Sequence, residues 1–188
     1  LRTQAEVDAF ARSGINTVEG NLTIGGEDEE NPVTNLDGLK NLVSVRCDLT
    51  ITAAYTGETL AGLENLTACE SLRIGSAAHP NETLRQLSLP ALKEIKGDLC
   101  VYGTALQTAD FKSLQSVAGH FVLQSDALLQ LTADELTTVA GNMTLIGTTA
   151  DEAKAPCEQM YFPKLQRIDG TLTLSRFDRL SEHLDRKS

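Results

Sequence analysis

The stretch that decides the fold is LKNLVSVRCDLTI, residues 39–51. Its apolar positions are separated by three, three, four and two residues, at Leu39, Leu42, Val45, Leu49 and Ile51. The same spacing recurs in the stretches 89–101, 111–123 and 162–174. The final spacing of two is β-strand alternation, because successive side chains of a strand point to opposite faces. The spacings of three predict short bends that return each apolar side chain to the same interior.

The strand phrase is an internal repeat. Its seven copies open at apolar positions 22, 49, 72, 99, 121, 143 and 172, so one unit is 22 to 29 residues long. One such unit cannot bury its own apolar face, whereas stacked units bury a continuous core. The spacing therefore predicts a mainly β solenoid of about seven coils. In coil three the step from Cys69 to Leu72 is one residue shorter than in other coils, which predicts a tighter corner there.

The two ends of the chain differ from the repeat. Thr3 and Glu6 have the spacing of a capping box at a helix start, and Val7 and Phe10 would lie on one face of that helix. We expect an N-terminal capping helix in residues 1–14, the solenoid in 15–175, and a C-terminal cap or truncated tail in 176–188. Because the chain begins with Leu1 rather than Met, we expect a mature domain cut from a longer precursor.

Composition excludes several classes of protein. The 188 residues carry a formal net charge of −10, which argues against nucleic-acid binding because that requires a basic surface. No run of about 18 apolar residues occurs, so the sequence does not predict a membrane-spanning helix. Aromatic residues make up 4% and Trp is absent, which weakens a sugar-binding role and suits a thin interior filled by aliphatic side chains.

The repeat phrase Leu-x-x-Ile/Val-x-Gly-x-Leu-x-Ile resembles that of the receptor L-domain family, and the Asn ladder of a leucine-rich repeat is missing. The resemblance covers residues 15–175 and implies a right-handed β-helix related to leucine-rich repeats. It is closest to bacterial secreted or surface members, often lipoproteins, with fungal cell-wall proteins as a second possibility. It therefore implies a secreted or cell-surface location. For a surface protein it implies anchoring to the outer membrane through a lipid on a missing N-terminal segment. The family has no shared catalytic residues.

The outward side of the predicted strands is the candidate binding face. It presents polar side chains next to or within the strands, namely Asn21, Asp48, Arg73, Asp98, His120 and Asn142. Further candidates come from the loops, namely Glu27, Asp28, Tyr55, Tyr102 and Tyr161. The alternative is an inert surface, because β-branched Thr, which is frequent on this face, simply suits an exposed sheet. Four Asn-x-Thr sequons, at Asn21, Asn65, Asn81 and Asn142, matter only if the source glycosylates secreted proteins.

The four cysteines allow a disulfide framework or buried thiols. Cys47 and Cys69 lie at near-equivalent places on neighbouring coils, within disulfide reach of the stacking distance. We expect either a Cys47–Cys69 bridge or two thiols that act as small apolar fillers. Neither Cys100 nor Cys157 has the partners of a metal cluster, and no cofactor motif occurs, so the sequence predicts no metal and no cofactor.

Three functions remain open. The first is a non-enzymatic extracellular or cell-surface module that binds a protein or glycan through the sheet face or the loops. The second is a structural spacer within a larger surface protein. The third is a polysaccharide-cleaving β-helix enzyme, which would need clustered Asp with Lys or Arg on adjacent coils. Here Asp48 and Asp98 are two coils apart and Arg73 is the nearest base, so the enzyme is the least favoured.

Overall fold

The computed structural model describes residues 1–26, 30–147 and 157–177. The described chain winds into a solenoid whose strands pair in parallel between successive coils and form three sheets. The predicted mainly β solenoid with one N-terminal helix is confirmed. Two of the sheets have seven strands and correspond to the repeat phrase and to the apolar position before it. The third sheet has four strands and was not predicted.

The main sheet is built from the repeat phrase. Its strands, in chain order, are β2 Leu22–Ile24, β4 Leu49–Ile51, β6 Leu72–Ile74, β9 Leu99–Tyr102, β12 Phe121–Gln124, β15 Met143–Ile146 and β18 Leu172–Ser175. Equivalent residues of the repeat are direct neighbours, as Leu49 is to Leu72 and Leu72 to Leu99. In the six main-sheet strands before β18, the apolar pair points inward and is buried, and the residue between the pair points outward and is more exposed.

The short-strand sheet lies one corner earlier in each coil. It consists of β1 Thr17–Val18, β3 Ser44–Val45, β5 Ala68–Cys69, β8 Glu94–Ile95, β11 Ser116–Val117, β14 Thr138–Val139 and β17 Arg167–Ile168. The partial sheet covers the remaining side of the later coils with β7 Gln86–Ser88, β10 Thr108–Asp110, β13 Gln130–Thr132 and β16 Gln159–Tyr161. A 3-10 turn at Asp37–Leu39 occupies part of the second coil.

The interior is the continuous aliphatic core that the spacing predicts. The five apolar residues that carry the spacing of the deciding stretch are at most 1% exposed: Leu39, Leu42, Val45, Leu49 and Ile51. Phe111 and Phe121 are in register with this core, and their rings meet edge to face with their centroids 5.9 Å apart. Edge-to-face contact lets two rings share an otherwise thin interior.

In coils five to seven, glycine is needed at the corner between the short-strand and main sheets because successive coils touch there through their backbones. Coils two and three have Cys47 and Glu70 at this position. The N–H of Gly141 donates to the carbonyl oxygen of Gly119 at 2.9 Å, and the N–H of Gly119 donates to that of Gly97 at 2.8 Å. A Cβ added at Gly141 would meet the backbone of Gly119 at 2.7 Å, closer than real Cβ contacts allow. The stack of glycines thus permits tight spacing of the coils.

Helix α1 (Gln4–Ala11) closes the N-terminal end, within the predicted range. The hydroxyl of Thr3 accepts the N–H of Glu6 at 3.3 Å, and the carboxylate of Glu6 accepts the N–H of Arg2 at 2.6 Å. The predicted capping box is therefore present in altered form, with the Glu bonded one residue before the cap. Val7 is fully buried, and the chain leaves the helix through Gly14, whose φ is 68°.

Candidate binding surface

Residues that precede the main-sheet strands form a hydrogen-bonded ladder between coils, which we call the corner ladder. In each bond a side chain accepts the backbone N–H of the equivalent residue in the next coil. The bonds run from the N–H of Asp48 to Asn21, of Asp98 to Ser71, of His120 to Asp98, of Asn142 to His120, and of Thr171 to Asn142, at 2.8 to 3.2 Å.

The corner ladder engages five of the six residues predicted for the binding face. Asn21, Asp98, His120 and Asn142 contribute acceptors, and Asp48 contributes its N–H. Their polar atoms complete backbone bonds that the corner would otherwise leave open to solvent, which gives these side chains a structural role. The residue type varies because Asn, Asp, Ser and the neutral imidazole of His can all accept one hydrogen bond.

Arg73, the sixth predicted residue, belongs to a different row on the outward face of the main sheet. This row consists of the outward residue in the middle of each main-sheet strand. The residue is Thr in the first two and the last two coils and differs in the three central coils. In chain order the row is Thr23, Thr50, Arg73, Cys100, Val122, Thr144 and Thr173. The next outward row brings Tyr102, Gln124 and Ile146 side by side.

These replacements form one contiguous area, which we call the central patch: Arg73, Cys100, Tyr102, Val122, Gln124 and Ile146. All six residues are half-buried. The patch combines an aromatic ring, a guanidinium and aliphatic surface on a flat sheet. Tyr and Arg are enriched where protein interfaces concentrate their binding energy.

Arg73 is the charged residue of the central patch. A guanidinium nitrogen of Arg73 lies 3.7 Å from Oδ2 of Asp98. Burial raises the pKa of the Cys100 thiol, and the charge of Asp98 adds to this while Arg73 opposes it. Burial also raises the pKa of Tyr102. Because the thiolate is the reactive form, Cys100 is a poor nucleophile and serves the patch as a small neutral group.

The predicted loop residues separate into different environments. Tyr102 borders a depression of about 30 Å³, the space of one water molecule, with Ser76, Pro80, Gln124 and Asp126. Tyr161 lies on β16 and is 48% exposed. Glu27 and Asp28 lie outside the described residues.

The expectation that Tyr55 is available in a binding loop is wrong. Its side chain is fully buried, and its hydroxyl donates to the carbonyl oxygen of Thr59 at 2.5 Å. Burial raises the pKa of Tyr55 to about 12. The ring extends the core beneath a long loop, since an apolar ring with a satisfied hydroxyl is as suitable there as an aliphatic side chain.

The Cys47–Cys69 bridge is not formed, and all four cysteines are free thiols. Cys69 is opposite Val45 in the parallel register, and its side chain is buried. Cys47 comes two residues after Val45, and its thiol points back toward the carbonyl oxygen of Glu19 at 3.5 Å. Cys47 and Cys69 therefore occupy different positions of the repeat, and the alternative of a buried thiol filler fits Cys69.

Asn81 is the sequon asparagine whose side chain is buried in the core. Its Nδ2 donates to the carbonyl oxygens of Thr52 and Tyr55, and its Oδ1 accepts the N–H of Thr83 and of Leu84. The residue is fully buried. Because all four hydrogen-bonding positions of the amide are used, Asn81 holds two loops together and cannot carry a glycan in the folded protein.

Comparison with protein-family models, with curated proteins and with solved structures finds no match for this chain. Among the described residues, no group of three or more His, Cys, Asp and Glu side chains could hold a metal ion. No helix in the described ranges is long and apolar enough to cross a membrane.

Proposed function

We propose that this protein is a non-enzymatic interaction module that binds a partner through the central patch of the main sheet. The observation that carries the proposal is the break in the outward Thr row. Thr is the expected residue on an exposed sheet, and coils one, two, six and seven have it. Arg73, Cys100 and Val122 replace it where Tyr102 and Ile146 add apolar surface.

The resemblance of the repeat to receptor L-domains supports the same proposal and extends it to a secreted or cell-surface location. The partner that we favour is a protein, because the patch is flat and offers Arg and Tyr. A glycan is the second candidate, for which Tyr102 is the available stacking ring. A fold of this kind does not by itself specify a function, so the proposal rests on the patch.

The test restores Thr at the three positions where the outward Thr row is interrupted. A variant with Arg73→Thr, Cys100→Thr and Val122→Thr continues the outward row of Thr and keeps every inward residue. Its matched control is Gln86→Thr on the partial sheet, next to Thr108 in the same sheet. The purified wild-type chain and both variants are applied to an array of extracellular proteins and to a glycan array.

The proposal predicts that wild type and Gln86→Thr bind the same array member, and that the triple variant loses at least about tenfold in affinity, the loss of about 1.4 kcal/mol. Binding that survives in the triple variant would move the interaction away from the central patch. Absence of binding by all three proteins would favour the structural spacer.

A further inference from the structure

Coil three lacks one residue at the corner between the short-strand sheet and the main sheet. In coils two and four one residue stands between the short strand and the corner position where later coils have glycine, namely Arg46 and Lys96. In coil three Glu70 follows Cys69 of the short strand directly and takes the glycine position itself. No residue of coil three therefore stands between Arg46 and Lys96.

The backbone hydrogen bonds show which position is missing. The N–H of Glu70 donates to the carbonyl oxygen of Cys47 at 3.0 Å, and the N–H of Gly97 donates to that of Glu70 at 2.6 Å. The N–H of Gly119 donates to the carbonyl oxygen of Gly97 in the same way. Glu70 thus continues the row of corner positions, and the row that precedes it along the chain skips coil three.

A depression of about 290 Å³ lies at this gap. Ser44 and Ala68, which are neighbours in the short-strand sheet, line it with short side chains. Arg46, Glu70 and Lys96, from three successive coils, line it with charged ones. The volume is close to the lower end of the range of small-molecule sites, roughly 300–1,000 Å³. The missing residue thus leaves space for a ligand of about the size of an amino acid.

The fold does not require charge at this row. Ala118 and Ala140 occupy the positions of coils five and six that are equivalent to Arg46 and Lys96. Like Arg46, each of these alanines donates its N–H to the inward residue of the preceding short strand. The charged side chains beside the gap are therefore a local departure from what the repeat needs.

The charges beside the gap are available to a ligand. Arg46 forms an ion pair with Glu19 at 3.0 Å, but both side chains are exposed, and such a pair contributes little to stability. Lys96 and Glu70 form no ion pair with any residue in the described part of the chain, although they belong to neighbouring coils.

We propose that this depression binds an acidic α-amino acid. Along the gap the charges follow the order cation, carboxylate and cation, at Arg46, Glu70 and Lys96. An acidic amino acid has the complementary order, with its ammonium between two carboxylates. Its ammonium pairs with Glu70, and its carboxylates pair with the guanidinium and the second ammonium, which are the usual donors to such groups. The site lies on a different sheet from the central patch and is independent of the function proposed there.

The experiment titrates the whole isotope-labelled chain with L-glutamate and follows the backbone amides by NMR. Glutarate, which has both carboxylates and no ammonium, is the second probe. Resonances of the main sheet report whether each protein is folded.

Two variants change the site, and each has a matched control. Ala68→Leu fills the depression, and its control is Ser116→Leu, the equivalent outward position of coil five on the other side of Glu94. Lys96→Ala removes one cation, and its control is Lys112→Ala, an exposed lysine of coil five outside the depression.

We expect L-glutamate to shift the amides of the lining residues saturably, with a Kd on the order of 1 mM. Glutarate, Ala68→Leu and Lys96→Ala should each weaken binding about fivefold, since each loses contacts of this exposed kind, and the controls should stay within about twofold of wild type. Absence of saturable shifts up to about 20 mM would overturn the proposal. So would equal weakening in a variant and its control, or equal binding of glutarate and L-glutamate, because Glu70 would then hold no ammonium.

Discussion

The imidazole Nδ1 of His120 accepts the backbone N–H of Asn142, one coil further along, at 2.9 Å. The same position in the first and sixth coils is Asn, which accepts the corresponding N–H through Oδ1. His120 is therefore one acceptor in the corner ladder, and its ring must be the neutral tautomer with hydrogen on Nε2.

Replacing His120 tests the ladder. His120→Ala removes the acceptor and should lower the free energy of unfolding by about 1 kcal/mol, the usual net value of one hydrogen bond. His120→Asn supplies the acceptor used elsewhere in the ladder and should retain most of that stability. The measurement is denaturant unfolding of both variants. If both lose the same stability, the imidazole contributes through packing and not as an acceptor.

Substitutions of Asn81 and Asn65 can be compared directly, because both residues are sequon asparagines. Asn81→Ala removes four bonds of a buried amide, leaves the Leu84 N–H without its acceptor and leaves the Tyr55 carbonyl with the Thr83 hydroxyl alone, so we expect a loss of about 2–4 kcal/mol. Asn65 is exposed and donates once, to the carbonyl oxygen of Lys40. Asn65→Ala should cost about 0.5 kcal/mol, and similar melting temperatures for the two variants would contradict the assigned role of Asn81.

Alkaline pH should destabilise the fold through two buried groups. Burial raises the pKa of Cys69 from 9.0 to about 12, and that of Tyr55 from 10.0 to about 12. Both groups are neutral when protonated, so their contribution is complete below pH 9 and is lost as pH rises from 9 toward 12. Cys69→Val keeps an apolar filler that does not titrate, and its unfolding free energy should fall less steeply over this range. An unchanged slope would mean that the thiol is not protected in the folded state.

Leu99 and Cys100 test the assignment of inward and outward positions, because they are consecutive in β9. Leu99 is fully buried and Cys100 is half-buried on the other face. Leu99→Ala should cost about 2–5 kcal/mol, the range for a large-to-small change in a core. Cys100→Ala should cost less than about 1 kcal/mol, and thermal unfolding compares the two directly.

The sequence predicted the solenoid well because its apolar spacing records the inward positions directly. Leu39, Leu42, Val45, Leu49 and Ile51 are all core residues, as their spacing indicates. The corner ladder was missed because its bonds join residues 22 to 29 positions apart and use different residue types. Tyr55 was misplaced because the long loop around it has no period, so its burial depends on contacts that spacing does not encode.

The candidate site was predicted only in part. Arg73 and Tyr102 were recognised, whereas Val122, Gln124 and Ile146 carry no chemical signal of their own and gain meaning from their neighbours across the strands. The signal that could have found them is the interruption of the outward Thr row. The error at Cys47 has a related cause, since the parallel register pairs Cys69 with Val45, two residues before Cys47, and counting along the chain did not resolve that difference.

The side-chain bonds of the corner ladder all have the same direction along the solenoid. In every bond the acceptor belongs to the earlier coil and the donor to the later one, from Asn21 through to Thr171. The backbone bonds of the main sheet at the same corner have the opposite direction, since the N–H of Leu22 donates to the carbonyl oxygen of Asp48 and the N–H of Phe121 to that of Asn142. Neighbouring coils therefore each supply donors and acceptors to the other, so removing one coil leaves polar groups on both of its neighbours without partners, and stability is shared between nearest neighbours along the array.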